Sequence, residues 1–339
     1  MIYFDVTKSG SARHHSGLVR LSGRLGGELG GAAASVRWPD WDRRAGPSDW
    51  FLTAELFSEA ERPGLWEFLR KRPCRCAAVF PDAIPLKFPA ITWPRSVARH
   101  PEYMKLLAGF DRVWAISQAS RDELLGYWKW LGVAETPVDV LGLGADSVPG
   151  EPRVRVRPAR SGARRSLLCV GIIEPRKNQA FLLDVCEELW GKGVDFDLDL
   201  VGRVNPIFGQ PILKRIGELS RRFPQLKHHR SLGDKGLAEL FSGARACVLP
   251  TLAEGCGLPL LESLWRGVPV VASDLPVIAE SAAGGGCSLA AQGDRAAWAA
   301  ALERILTDDA WHAELAQQAL SRPLPTWAEA AATLRRALA

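Results

Sequence analysis

Short apolar runs alternate with longer segments whose apolar residues return every three or four positions. Nine runs read as strands: "IYFDVT", "DWFLTAE", "CAAVFP", "RVWAIS" and "VDVLGLG" in the first half, then "SLLCVG", "FDLDLVG", "ACVLP" and "PVVAS". They are rich in Val, Leu, Ile and aromatic residues and are bounded by Gly, Pro, Asp and Ser, as strands are. Between them lie amphipathic stretches such as "QASRDELLGYWKWLG" (118–132) and "NQAFLLDVCEELWGKG" (178–193), which carry the helical period. A βαβα rhythm of this kind predicts an α/β fold with parallel sheets covered by helices on both faces. The rhythm breaks at "RVRVRPARSGARR" (153–165) and restarts near Ser166. Two doubly wound Rossmann-like domains follow, over 1–160 and 161–324, with a last helix over 325–339.

Length and composition agree with that division. A chain of 339 residues, 47% of them hydrophobic, suits two domains with real cores. No window of 18 or more apolar residues is present, and "MIYFDVTKSG" lacks the charged and apolar regions of a signal peptide, so a cytoplasmic location is expected. The seven cysteines are an odd number without zinc-ligand spacing beyond a lone Cys74-x-Cys76, and reduced thiols are the expectation. The net charge of +5 is bunched in "FLRKRPCR" (68–75) and in the run 153–165. The second reads first as a linker. The first belongs to a basic helix over 65–75, where Trp66, Phe68 and Leu69 lie beside Arg70, Lys71 and Arg72. It is either an ordinary amphipathic helix or a peripheral contact with anionic lipid at the inner face of a membrane. No aromatic-interleaved signature accompanies these charges, so no nucleic-acid partner is expected.

Ligands of doubly wound sheets bind beyond the carboxyl ends of the strands, which directs attention to two junctions. After "SLLCVG" comes "EPRKN" (174–178). Pro175 sets a turn, Asn178 is a plausible helix N-cap, and Arg176 and Lys177 stand just before the helix. Two cations beside a helix N-terminus suit a phosphate or diphosphate; the alternative is a solvated pair in a loop. After "ACVLP" comes "LAEGCGLPLLE" (252–262). Gly255 and Gly257 permit close backbone approach, and Pro259 suits the first turn of a helix from Leu258 to about Arg266. Glu254 then lies in the loop and Glu262 about one turn into the helix. Both can accept hydrogen bonds from sugar hydroxyls, or they are a helix cap and an ordinary helix glutamate.

Five pieces in order change the balance: "GLVR" (17–20), "DAIPL" (82–86), "AISQASRDEL" (115–124), "VGIIEPRKN" (170–178) and "PTLAEGCGLPLLESLWRGVPVVASDLPVIAE" (250–280). Together they resemble retaining glycosyltransferases of family 4, which have the GT-B fold of two Rossmann-like domains facing a central cleft. "EPRKN" is similar to the variant in mannosyl- and rhamnosyltransferase-like members. "LPTWAEAAATLRRAL" at the end resembles the family's final helix, which crosses back to the first domain.

The resemblance implies that the C-terminal domain binds a nucleotide-sugar, of GDP-mannose or dTDP-rhamnose type. Arg176 and Lys177 match residues that hold the diphosphate. Glu254 matches the glutamate that engages the sugar, with the backbone of Gly255, Cys256, Gly257 and Leu258, and Glu262 the one that reaches the ribose. Gly17 matches the N-terminal loop facing the donor phosphates, and Arg20 starts the helix there. A saccharide or lipid-linked glycan acceptor falls to the N-terminal domain. No metal or other cofactor is expected, because the two cations and helix termini do its electrostatic work. One departure matters: many relatives carry His-Asp before the "xxPL" element, and here the residues are Pro81-Asp82. Either Asp82 supplies the polar contact at the reaction centre, or the role has moved, with His14 and His15 as candidates or as an acceptor-loop pair. A nicotinamide oxidoreductase is disfavoured, since Gly10 and Gly17 are too far apart for G-x-G-x-x-G. A catalytically silent binding protein of the same fold is the second reading.

Overall fold

The structure, a computed structural model, describes residues 1–11, 16–134, 136–147, 150, 153 and 165–339. The chain divides into two compact units, one of Met1–Gly144 with Pro325–Ala339, the other of Ala145–Leu324. The first contains β1 (Ile2–Asp5), α1 (Gly17–Leu29), β2 (Ala33–Val36), β3 (Trp50–Thr53), α2 (Leu65–Lys71), β4 (Arg75–Phe80), α3 (Ile84–Lys87), α4 (Pro94–Leu107), β5 (Arg112–Ala115), α5 (Gln118–Leu131) and β6 (Val138–Val140). The second contains β7 (Arg165–Val170), α6 (Gln179–Gly191), β8 (Phe196–Val201), α7 (Gln210–Arg222), β9 (Leu226–His229), α8 (Asp234–Gly243), β10 (Ala246–Leu249), α9 (Leu258–Trp265), β11 (Val270–Ser273), α10 (Pro276–Ala282), β12 (Cys287–Ala290), α11 (Arg295–Thr307) and α12 (Asp309–Ser321). A last helix, α13 (Trp327–Ala337), packs on α1 within the first unit.

Each unit holds a six-stranded sheet, ordered β2-β1-β3-β4-β5-β6 in the first and β12-β11-β10-β7-β8-β9 in the second. Every strand pairing is parallel. All nine strand runs anticipated from the pattern form strands. The three that the pattern did not mark, β2, β9 and β12, are all sheet edges. Their residues are mostly half-exposed, so they lack the continuous apolar run of strands buried on both faces.

The order of the second sheet fixes where a ligand would sit. From β7 the chain winds one way through β8 to β9, then returns to the other side of β7 with β10. The loops leaving β7 and β10 therefore diverge at a topological switch point. "EPRKN" is the first of these loops, and "LAEGCG" is the second. In the first sheet the reversal lies between β1 and β3.

One boundary differs from expectation. Residues from Ala145 onward belong to the second unit rather than joining it at 161. The connecting chain is fastened there by side chains: Arg266 Nη1 donates to Ser147 Oγ at 2.8 Å, and the Arg153 guanidinium donates to the Ala319 and Arg322 carbonyls. Most of the basic run 153–165 lies outside the described residues. Residues 325–339 form part of the first unit, where α13 is opened by a Thr326–Glu329 capping box. Gly144 is required at this contact, since a Cβ there would lie 2.2 Å from the Trp327 nitrogen.

The basic helix is shorter than the expected 65–75, because Arg72 is left-handed (φ 47°) and Pro73 cannot continue the helix. Phe68 and Leu69 are buried and Trp66 is 44% exposed. Lys71 pairs with Glu67 and Arg72 with Asp111, each at 2.8 Å, so part of the positive charge is balanced within the protein. Among the described residues no helix is long and apolar enough to cross a membrane.

Candidate functional site

The loop after β7 turns through a 3-10 segment, Pro175–Lys177, before α6 begins at Gln179. Asn178 occupies the position before that helix, but it does not cap it: its backbone is left-handed (φ 55°) and its side chain makes no capping bond. The left-handed step, which Asn tolerates, ends the 3-10 turn and starts the helix in a new direction. Gln179 braces the turn instead. Its Nε2 donates to the Ile172 carbonyl at 2.9 Å, and its Oε1 accepts from the Glu174 nitrogen at 3.3 Å.

Arg176 and Lys177 are not the exposed loop-rim pair that spacing alone suggests. Their side chains are only 20% and 13% exposed, because the loop after β10 is laced onto them. The Arg176 carbonyl accepts from the Leu252 nitrogen at 2.8 Å and from Thr251 Oγ1 at 3.1 Å. Arg176 Nη1 donates to the Ala253 carbonyl at 2.9 Å and reaches Glu254 Oε2 at 3.4 Å. Lys177 Nζ meets Glu254 Oε1 at 2.5 Å. Glu254 is largely buried, which on its own would push its carboxyl up. The Lys177 and Arg176 charges and the Lys177 hydrogen bond outweigh that and hold it below its ordinary value of 4.5. The switch point thus brings together Arg176, Lys177 and Glu254, three residues singled out from the sequence.

Beyond Glu254 the chain turns through buried Gly255, Cys256 and Gly257 into α9, which opens at Leu258 with Pro259 in its first turn. Gly257 is left-handed (φ 73°), and a Cβ there would also lie 2.9 Å from Ile278 Cδ1, so glycine is needed twice over. In the first turn the Leu260 and Leu261 nitrogens donate to the Gly257 carbonyl at 2.8 and 3.3 Å and Pro259 has no N–H, so it is chiefly the positive end of the helix dipole that favours an anion here. Glu262, the fifth residue of α9, is 2% exposed.

In the first unit Gly17 is the first residue of α1 rather than part of a loop, and Arg20 lies one turn in. Ser16 caps the helix, accepting from the Val19 nitrogen at 3.3 Å. Asp82 follows β4. Its Oδ1 accepts from the Ile84 nitrogen at 3.0 Å, which starts α3, and its carbonyl accepts from His100 Nε2 at 2.9 Å. His100, which sequence reasoning did not single out, is fully buried, and burial lowers its pKa to about 4, so it is a neutral donor here. At the sheet reversal a buried Arg62 joins Asp5 and Glu55, and Glu55 accepts from the backbone nitrogens of Lys8 and Ser9 after β1. His14 and His15 lie outside the described residues.

Among the described residues no group of three or more His, Cys, Asp or Glu could hold a metal ion. Asp197 and Asp199 of "DFDLD" are strand residues in β8, bonded to Lys227 and His229.

Residues 164–308 match the family "Glycosyl transferases group 1". This segment is a group 1 glycosyl transferase domain. The chain is 31% identical over 250 residues to the serotype-specific mannosyltransferase WbdA of Escherichia coli, a match covering 68% of this chain and 29% of that protein. It is 32% identical over 145 residues to the O-antigen chain mannosyltransferase B of Escherichia coli, over 42% of this chain and 37% of that one. The chain thus spans less than a third of WbdA's length. Among solved structures, sucrose-phosphate synthase from Thermosynechococcus elongatus superposes with a TM-score of 0.74 at 17% identity, covering 99% of this chain and 97% of that one. WaaG, a glycosyltransferase involved in lipopolysaccharide biosynthesis, gives 0.66 at 15% identity over 98% and 99% of the two chains. The fold is that of the GT-B glycosyltransferases. Within the glycosyl transferase domain, sequence reasoning gave the side chains of Glu174, Asn205 and Thr251 no role, although all three bond to the "EPRKN" loop or its cations.

Proposed function

We propose that the chain is a retaining, metal-independent glycosyltransferase that moves a hexose or deoxyhexose from a nucleotide-sugar to a saccharide or lipid-linked glycan acceptor, in the synthesis of a surface polysaccharide. The observation that carries the reading is the convergence of Lys177, Arg176 and Glu254 at the switch point of a group 1 glycosyl transferase domain. The similarity to two Escherichia coli mannosyltransferases favours mannose, and with it a GDP-mannose donor, over dTDP-rhamnose.

On this reading Lys177 and Arg176 neutralise the donor diphosphate, together with the N-terminus of α9. Glu254 accepts from a hydroxyl of the donor sugar and Glu262 from the ribose. Retention follows from front-face attack, in which the departing phosphate takes the proton of the acceptor hydroxyl. A dedicated protein base is then unnecessary, which is compatible with Pro81 standing where relatives carry histidine. The first unit, with Asp82, is assigned to the acceptor.

Turnover of a donor panel, GDP-mannose, dTDP-rhamnose, UDP-glucose and ADP-glucose, is the test, run in excess EDTA. One donor is expected to yield its nucleoside diphosphate at an undiminished rate, since fixed cations and helix dipoles replace a metal. A rate abolished by EDTA and restored by Mg²⁺ or Mn²⁺ contradicts the metal-independent assignment. Pro81 gives the second reading its one support: a silent binding protein would bind a nucleoside diphosphate and turn over none of the donors.

A further inference from the structure

Arg176 is held from behind. Its Nε and Nη2 donate to Glu174 Oε1 at 3.1 and 2.9 Å, while the other carboxylate oxygen of Glu174 accepts from Asn205 Nδ2 at 2.9 Å. Asn205 is fully buried and Glu174 is 5% exposed. Asn205 Oδ1 accepts from the nitrogens of Ile207 and Phe208 at 3.0 and 3.2 Å, so the same side chain also shapes the loop after β8. That loop is joined to the one after β7 by backbone bonds: Ile173 donates to the Arg203 carbonyl at 2.9 Å, and Asn205 to the Ile173 carbonyl at 3.0 Å. Their contact is tight, since a Cβ on Gly202 would lie 2.0 Å from the Gly171 oxygen and one on Gly209 2.5 Å from the Ile173 oxygen.

We infer that Glu174 and Asn205 are positioning residues: the Asn205–Glu174 pair fixes the direction of the Arg176 guanidinium, and through Arg176 the place of Glu254. This rests on reading the switch point as the donor site. The reason is directional. A long arginine with one partner samples many rotamers, whereas a guanidinium held by Glu174 through both nitrogens of one edge, Nε and Nη2, presents Nη1 to the loop after β10, where it meets the Ala253 carbonyl and Glu254. Asn205 in turn leaves Glu174 little freedom. It links the loop after β8 to the cation that meets phosphate, so a change in that loop is transmitted to the diphosphate site.

Asn205→Asp isolates the link. A carboxylate keeps the acceptor for Ile207 and Phe208 but replaces the donor facing Glu174 with a like charge. The probe is whichever of GDP, UDP, dTDP and ADP the wild-type protein binds, titrated by calorimetry alongside melting temperatures. Asn205→Asp is expected to weaken that nucleotide about tenfold or more, the scale of a hydrogen bond to a charged group. The double variant Glu174→Gln with Asn205→Asp restores a donor opposite an acceptor at unchanged net charge, and is expected to recover most of the affinity. Wild-type affinity in Asn205→Asp overturns the proposal, as does a double variant no better than Asn205→Asp alone. If Asn205→Asp does not fold, Asn205→Ala takes its place, and unchanged affinity there is equally contrary. A wild-type protein that binds none of the four nucleotides overturns the donor-site reading and this proposal with it. Loss in Lys177→Ala with Asn205→Asp unaffected overturns this proposal alone.

Discussion

Glu254→Gln is expected to lower sugar transfer by about 10²-fold or more, the loss that follows removal of one preorganised transition-state contact. Binding of the bare nucleoside diphosphate should be unchanged or tighter. The two effects part because Glu254 has two sets of partners. Toward the donor it is proposed to accept from a sugar hydroxyl, a bond that matters only when sugar is present. Toward the protein it binds Lys177 Nζ at 2.5 Å and Arg176 Nη1 at 3.4 Å. A diphosphate drawing on the same cations must share them with Glu254. Removing the glutamate charge leaves the cations to the phosphates, at a cost in stability of about 1–3 kcal/mol for charged groups that lose a buried partner. Transfer rate, nucleotide affinity and melting temperature, measured on one preparation, separate these effects. A variant that transfers normally, or one that loses nucleotide affinity while keeping transfer, contradicts the orientation of the donor.

Lys177→Ala is expected to do the reverse, weakening nucleoside diphosphate binding by about 2–3 kcal/mol, roughly 30- to 150-fold. Lys177 is 13% exposed, at the end of the 3-10 turn, where a compact ammonium can face both Glu254 and an incoming phosphate. There is also an effect on pH dependence. With Lys177 present, Glu254 lies below its ordinary value despite burial. Stability from its ionised form is therefore present above the unfolded-state value of 4.5 and is lost as pH falls through the lower folded value. Without Lys177 the burial effect is opposed chiefly by Arg176, so the folded value rises and acid inactivation should begin at higher pH. Acid melting curves of variant and wild type check this. An unshifted acid limb shows that Lys177 is not what holds Glu254 ionised.

Much of this architecture is legible in the sequence because the interior strands are buried on both faces. β4, β10 and β11 leave short, nearly unbroken apolar runs, and β8, "FDLDLV", alternates apolar and acidic residues with the period of a strand rather than of a helix. β2, β9 and β12 leave no such pattern, since an edge strand needs none. Arg176, Lys177 and Glu254 are legible for a related reason: each follows an obvious strand and precedes a helix, and the winding of the sheet puts both junctions at one switch point. Their mutual pairing is not legible. Lys177 and Glu254 are 77 residues apart, Glu174 and Asn205 are 31 apart, and local pattern carries no information on contacts at such separations. The Asn178 cap failed because a left-handed residue ends a 3-10 turn there, a backbone choice that composition does not reveal. His100 escaped notice because a histidine midway along an amphipathic helix has no local signature. Only the fold brings it to the Asp82 carbonyl, 18 residues back along the chain.

The central claim is that the loops beyond the carboxyl ends of β7 and β10 form a nucleotide-sugar donor site. Calorimetric titration of the wild-type protein with GDP, UDP, dTDP and ADP in EDTA tests it most directly. One nucleotide is expected to bind at one site per chain, and at about 100 times its dissociation constant to add about 2.7 kcal/mol of stability. Four flat titrations contradict the account, as does binding that appears only when a divalent metal is supplied.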